Sequence, residues 1–139
     1  MNDDPDISQI KDPRHHRRVE IVQQLYAFSF DPEFVYEDKS KTIDTVREII
    51  QHKEVLDKYI VNHAPKYPLD QIAKADLAIM RLAIFELMFD KKEPSKVIIN
   101  EAVELAKELG SDRSYAFVNA VLGAIISEST LTVTPDKKV

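Results

Sequence analysis

The sequence predicts an all-α fold, a compact helical bundle of five to seven helices, on three observations. Apolar residues recur every three or four positions over most of the 139-residue chain, which is the period of amphipathic helices. Nothing in the pattern supports a β-sheet. The chain has only two glycines, and prolines break the periodic segments.

The first helical segment follows an acidic start. Residues 1–10 carry three aspartates and no apolar run, so we expect a disordered acidic tail. Asp12 can then cap a helix that has Pro13 at its first position. The pattern ends at Asp31 and Pro32, because the residue before a proline avoids helical backbone.

Two further segments follow, separated by prolines. The second opens at Ser40 or Thr42 and is broken firmly by Pro65 and Pro68, and its pattern is compatible with a kink near Gln51 and His52. The third, Leu69–Phe89, is apolar on nearly every face, which is typical of a central helix. Its polar interruptions should be satisfied by neighbouring helices, and they are Arg81 and Glu86.

The stretch Pro94–Leu122 predicts two helices joined by a tight turn. Pro94 suits a first helical position, and Gly110 suits a left-handed cap. Residues 129–139 contain strand-like residues without a partner strand, so we expect a flexible C-terminal tail. Three polar residues inside the hairpin do not follow its apolar faces, and we expect them to fix the helix crossing: Asn100, Glu101 and Asn119.

The composition is that of one ordinary globular domain, with 44% hydrophobic and 31% charged residues. The absence of cysteine excludes disulfides and thiolate chemistry and fits a reducing compartment. We expect a cytoplasmic protein without membrane contact, since no signal-peptide pattern or apolar run of ~20 residues is present. Phosphate-binding glycine loops, metal motifs and a catalytic triad are also missing, so we expect no enzyme, metal or cofactor.

The strongest local signal is the basic run Lys11–Arg18 (KDPRHHRR). On a helix, Arg14, Arg17 and Arg18 share one face, and such side chains contact phosphates or stack on bases. The alternative is an ordinary solvated helix face. Cations at a helix N-terminus oppose the macrodipole, so their placement calls for another reason. With a net charge of −5 overall, RNA binding would have to use this local patch.

Four motifs, in this order and at these distances, resemble the NusB family of transcription antitermination factors over about residues 12–127. They are Arg18–Tyr26 (RVEIVQQLY), Asp76–Leu87 (DLAIMRLAIFEL), Pro94–Lys107 (PSKVIINEAVELAK) and Phe117–Leu122 (FVNAVL). The resemblance implies a NusB-like helical domain of two three-helix subdomains, here residues 11–128. It also implies a non-enzymatic role in which the protein pairs with NusE, a small-ribosomal-subunit protein.

In this family the pair binds the single-stranded boxA element of nascent RNA. It joins the elongating RNA polymerase and suppresses premature termination, notably in rRNA operons. By resemblance, NusE would meet Tyr26 and Asp76. Phe117 fits a core position by periodicity, and the resemblance makes it an RNA contact. The RNA-binding residues implied by the resemblance are Arg14, His15, His16, Arg17, Arg18 and Phe117.

Histidines occupy positions 15 and 16, where arginines are usual in the family. Since a neutral histidine adds little to phosphate binding, we predict weaker RNA binding above about pH 7 than at pH 6. The alternative is a helical protein-interaction module without RNA binding. Some family members form a homodimer, and the sequence leaves that question open.

Overall fold

The computed structural model describes residues 12–33 and 41–138, with side chains described as far as residue 128. In these ranges the chain forms six α-helices and no strand, which confirms the all-α prediction. The predicted acidic tail lies outside the described residues. The helices are α1 (Pro13–Phe30), α2 (Ile43–Gln51), α3 (Lys53–His63), α4 (Lys74–Phe85), α5 (Ser95–Leu109) and α6 (Ser114–Lys138).

Helix α4 is the centre of the bundle. It contacts each of the other five helices, and every residue from Asp76 to Phe85 is buried. Because each face of α4 meets a neighbour, a helix without a polar stripe is stable there. Helix α2 contacts α1 and α3, while α4, α5 and α6 contact one another. Two sets of three helices therefore share one hydrophobic core.

The two polar interruptions of the central segment are paired, as predicted. The Arg81 guanidinium donates from Nε and Nη2 to the two carboxylate oxygens of Asp57 in α3, at 2.8 and 3.0 Å. Glu86 accepts hydrogen bonds from Arg18 in α1. The Arg81 and Glu86 pairs thus tie the central segment to α3 and α1.

The predicted single helix over Leu69–Phe89 is divided in the structure. A 3₁₀ turn at Leu69–Gln71 is followed by extended backbone, and α4 begins at Lys74. At its other end a π-helical turn, Glu86–Asp90, is closed by the Lys91 N–H, which donates to the Glu86 carbonyl at 2.8 Å. Lys91 has φ 55°, in the left-handed region that ends helices.

The sequence pattern is compatible with a kink near Gln51 and His52, and the structure has a break between two helices at this point. Helix α2 ends at Gln51 and α3 begins at Lys53. His52 between them has φ −97° and ψ 9°, outside helical values, and its N–H still donates to the Glu48 carbonyl. The break turns α3 toward α4 and α6, which it contacts.

The predicted role of Gly110 was wrong, because its backbone is not left-handed. Its φ is −102° and its ψ −162°, which any residue can adopt. The glycine is needed for space: a Cβ there would lie 2.4 Å from Ser114 Oγ and 2.8 Å from the Ala106 carbonyl oxygen. Pro94 precedes α5, whose first residue is Ser95.

The predicted role of the hairpin's polar residues also needs correction. Asn100 and Asn119 are exposed, and Glu101 faces His15 of α1 instead of the crossing with α6.

The structure continues α6 to Lys138, where the sequence predicts coil from Ser129. The stretch contains Pro135, which cannot donate a helical hydrogen bond, so the local sequence does not account for the continued helix. Its flexibility stays a prediction.

Candidate nucleic-acid interface

The basic residues 14–18, here called the basic turn, are held in the first turns of α1 by a cap. The Asp12 carboxylate accepts from the Arg14 backbone N–H at 2.7 Å and from the Arg14 guanidinium, also at 2.7 Å. These hydrogen bonds lower the pKa of Asp12 from 3.8 to about 2. An acidic cap offsets the unfavourable placement of cations at this helix end.

Arg18 points into the protein. Its guanidinium donates to both carboxylate oxygens of Glu86, at 2.9 and 2.8 Å, and to Glu93 at 3.2 Å. Only 6% of the residue is exposed, and the bonds to Glu86 raise its pKa above the usual arginine value. A bidentate, buried pair of this kind fixes the orientation of α1 on the end of α4.

His15 is the second buried member of the basic turn, with 4% exposed. Its Nδ1 lies 3.1 Å from a carboxylate oxygen of Glu101, and its Nε2 lies 2.7 Å from one of Glu108. Both carboxylates belong to α5, seven residues apart. His15 therefore attaches the first turn of α1 to α5.

The other three members are exposed: Arg14, His16 and Arg17. Arg14 pairs with Asp12 and, at 3.4 Å, with Glu93. Arg17 donates from Nη2 to Thr45 Oγ1 at 2.8 Å, and no carboxylate of the described residues lies within 4.0 Å of it. The structure thus separates two inward-facing anchors from three side chains that can reach a ligand.

Phe117 is half-buried against the core in the first turn of α6. Its ring meets the ring of Tyr67 edge to face, with centroids 5.3 Å apart. Tyr67 is 50% exposed and lies in the loop after α3. Our sequence reasoning missed Tyr67, although a tyrosine between Pro65 and Pro68 was a visible signal of an exposed aromatic side chain.

The far end of α1 carries exposed aromatic side chains instead of charges. Tyr26 and Phe30 are 43% and 61% exposed, and their rings pack edge to face at 4.9 Å. Lys74 Nζ lies 5.6 Å from the centre of the Phe30 ring, a cation–π contact. We call these three residues the aromatic end; sequence reasoning had identified only Tyr26.

Asp76 lies one half-turn beyond Lys74 in α4, and only 7% of it is exposed. Its Oδ1 has no hydrogen-bond partner among the described residues. Burial raises the pKa of Asp76, and a hydrogen bond from Ser114 acts in the opposite direction. An incompletely paired carboxylate is suited to accept a donor from another molecule.

Other site types have no support in the described part of the chain. No group of three or more His, Cys, Asp or Glu residues there could hold a metal ion. None of the described helices is long and apolar enough to cross a membrane.

Two relatives show how similar the chain is to known proteins, and both carry the name transcription antitermination protein NusB. The one from Chloroflexus aggregans is 49% identical over 79 residues, which are 55% of this chain and 53% of that protein. The chain thus spans about half the length of the first relatives it matches. The one from Oceanobacillus iheyensis is 45% identical over 125 residues, 82% of this chain and 98% of that protein.

Two solved structures have a similar fold. NusB from Thermotoga maritima (T. maritima) superposes with a TM-score of 0.74 and 29% identity, covering 86% of this chain and 94% of that one. A crystal structure of antitermination factors NusB and NusE in complex with double-stranded RNA gives a TM-score of 0.70 and 22% identity, covering 83% of this chain and 96% of that one. A family model described as the NusB family matches residues 7–127. The chain therefore belongs to the NusB family.

Proposed function

We propose that this chain is a transcription antitermination factor that binds boxA-type single-stranded RNA through the basic turn, together with NusE. The observation that carries the proposal is the division of the basic turn. The buried Arg18 and His15 fix α1 on α4 and α5 through contacts with carboxylates, and that rigidity presents Arg14, His16 and Arg17 to solvent. Preorganised cations cost less entropy when they bind a phosphate backbone.

In this proposal Arg18 and His15 act as positioning residues, while the three exposed residues contact RNA directly. Phe117, with Tyr67 against its ring, offers an aromatic face to a base. The similarity to a NusB bound to NusE and RNA supports the same kind of assembly here. The assembly would act in the cytoplasm on the elongating RNA polymerase and suppress premature termination, notably in rRNA operons.

Fluorescence anisotropy with a boxA-type RNA, with and without NusE, tests RNA binding. Arg17→Ala should weaken binding several-fold and lower the slope of log K against log salt by about 0.7, the contribution of one phosphate on a single strand. Arg47→Ala is the matched control, since Arg47 is exposed on α2 and, among the described residues, pairs with the exposed Asp44. RNA that is retained only in the presence of NusE, and equally well by both variants, would favour the protein-interaction module.

The aromatic end and Asp76 are the residues through which we propose that NusE binds. Exposed aromatic rings are typical of an interface centre, and an unsatisfied buried acceptor can take a donor from a partner. Calorimetry with NusE should show at least tenfold weaker binding for Tyr26→Ala. Tyr115→Ala is the control, because Tyr115 is 45% exposed, nearly the same as Tyr26, and lies on α6. Light scattering of the free protein addresses the homodimer.

A further inference from the structure

A cleft of about 370 Å³ lies beside the basic turn, between α1, α2 and the π-helical turn that ends α4. It is distinct from the aromatic end and from the Phe117–Tyr67 pair. Its size suits a small planar group, and it opens to solvent next to the exposed cations of α1. The lining residues that matter for its chemistry are Arg14, Arg17, Thr45, Phe85, Asp90 and Lys92.

One side of the cleft leads to a fixed aromatic surface. Phe85 lines the cleft, and the ring of Phe89, which lies outside the lining, stacks on the Phe85 ring with centroids 5.8 Å apart and an angle of 25°. His52 lies 4.3 Å from Phe89, and its own Nδ1 is held 2.9 Å from the Glu48 carbonyl oxygen. Phe89 is nevertheless 43% exposed. A large ring that is supported from two directions and still open to solvent is a ready stacking surface.

The backbone that presents Phe89 is unusual. The π-helical turn Glu86–Asp90 and the left-handed Lys91 both depart from ordinary helical geometry. Such departures are frequent at functional sites, where they aim particular side chains. Here the same turn directs Glu86 inward to Arg18 and leaves Phe89 at the surface.

The charges around the cleft leave one cation without a carboxylate partner. Glu86 and Glu93 are paired with Arg18, and Asp90 lies 3.7 Å from Lys92. Arg17 donates only to a hydroxyl within the described residues, so its guanidinium keeps donors for an anion. Glu48, the remaining carboxylate of the lining, is exposed to water.

We propose that this cleft, together with the exposed Phe89 ring beside it, is a subsite for one unstacked nucleotide of the RNA, with the base against Phe89 and its phosphate on Arg17. The proposal rests on the proposed RNA binding and adds a contact surface that neither the motifs nor the basic run had indicated. A flat base matches the exposed ring face, and the phosphate matches the guanidinium. The RNA would thereby cross α1 toward α2.

The test measures affinity for boxA-type RNA by anisotropy, with full-length protein over a range of salt concentrations. Phe89→Leu removes the flat face and keeps an apolar side chain, so binding should weaken about tenfold with an unchanged salt slope. Phe89→Tyr retains the ring and should bind like wild type. Photo-crosslinking with 4-thiouridine in the RNA should yield an adduct at Phe89 or His52.

Each outcome is decisive. Equal affinity of Phe89→Leu and wild type, or crosslinks that avoid the His52–Phe89 region, would overturn the subsite and leave the basic turn's role intact. Wild-type protein that does not bind the RNA at all would overturn the proposed function and the subsite together. Denaturation curves show whether Phe89→Leu loses binding because it unfolds. In that case the folded Phe89→Tyr variant tests the proposal. Wild-type affinity of Phe89→Tyr supports stacking, and weak binding by it rejects stacking.

Discussion

The two ends of α1 present different surfaces built by different means. At the N-terminal end, Arg18 and His15 are buried and are held by carboxylates at the end of α4 and on α5. At the C-terminal end, aromatic rings lie on the surface with a single cation above them. A basic surface needs rigid anchoring, because mobile cations lose conformational entropy when they bind a phosphate. Aromatic rings have few rotatable bonds, so they lose less conformational entropy on binding.

The largest effect is expected when Arg18, which anchors the N-terminal end of α1, is replaced. Arg18→Ala leaves the Glu86 carboxylate buried without its bidentate partner, and we expect a loss of about 3 kcal/mol in the free energy of unfolding. Urea denaturation measures it. Arg17→Ala, one residue away and exposed, should change stability by less than about 0.5 kcal/mol. Similar stabilities for the two variants would show that Arg18 is not an anchor.

The second prediction, of intermediate size, concerns Asp76, the buried carboxylate that we propose for NusE binding together with the aromatic end. Asp76→Asn removes a buried charge whose Oδ1 lacks a donor, so we expect a gain of about 1 kcal/mol in stability at pH 7. Because burial raises the pKa of Asp76 in the folded protein, the gain should vanish below about pH 4 and grow as the pH rises. Thermal unfolding at several pH values measures this gain.

The same Asp76→Asn substitution should weaken NusE binding in calorimetry. Greater stability together with weaker partner binding is the signature of a residue kept for an interface. A less stable variant at pH 7 would instead show that the Asp76 carboxylate serves the fold.

The smallest effect concerns the cap at the basic end. The pKa of Asp12 is about 2 in the folded protein, below its ordinary 3.8, so its carboxylate stabilises the fold above about pH 4. This contribution is lost as the pH falls toward 2. Asp12→Asn keeps a capping side chain and should flatten that part of the stability curve. An NMR titration of Asp12 with a midpoint near 4 would contradict the Arg14 contacts.

Much of the fold was predictable because it depends on local spacing. The apolar pattern identified the central helix, and the break near His52 coincides with the observed junction. The turn at Gly110 was misjudged since its constraint is the approach of Ser114, a three-dimensional contact that local sequence does not report. The π-helical turn had no sequence signal, because its residues also suit an ordinary helix.

The candidate site was predictable only as a set of residues. The basic run was visible, but its division into anchors and exposed cations depends on carboxylates 68 to 93 positions away in the chain. Helical spacing predicted that Arg14, Arg17 and Arg18 share one face, which was wrong, because Arg18 is buried while Arg14 and Arg17 are exposed. Phe30 and Lys74 were missed because their side chains meet only across α1 and α4.

The absence of a side chain at Gly110 influences a surface in a different part of the molecule. The space it leaves is occupied by Ser114 Oγ, which accepts from the Ser111 N–H at 2.8 Å and hydrogen-bonds Asp76. The turn between α5 and α6 therefore helps to set how strongly Asp76 retains its proton. A methyl group at position 110 would displace the Ser114 hydroxyl and deprive Asp76 of its donor, so the negative charge available to a partner depends on a hairpin turn that never touches that partner.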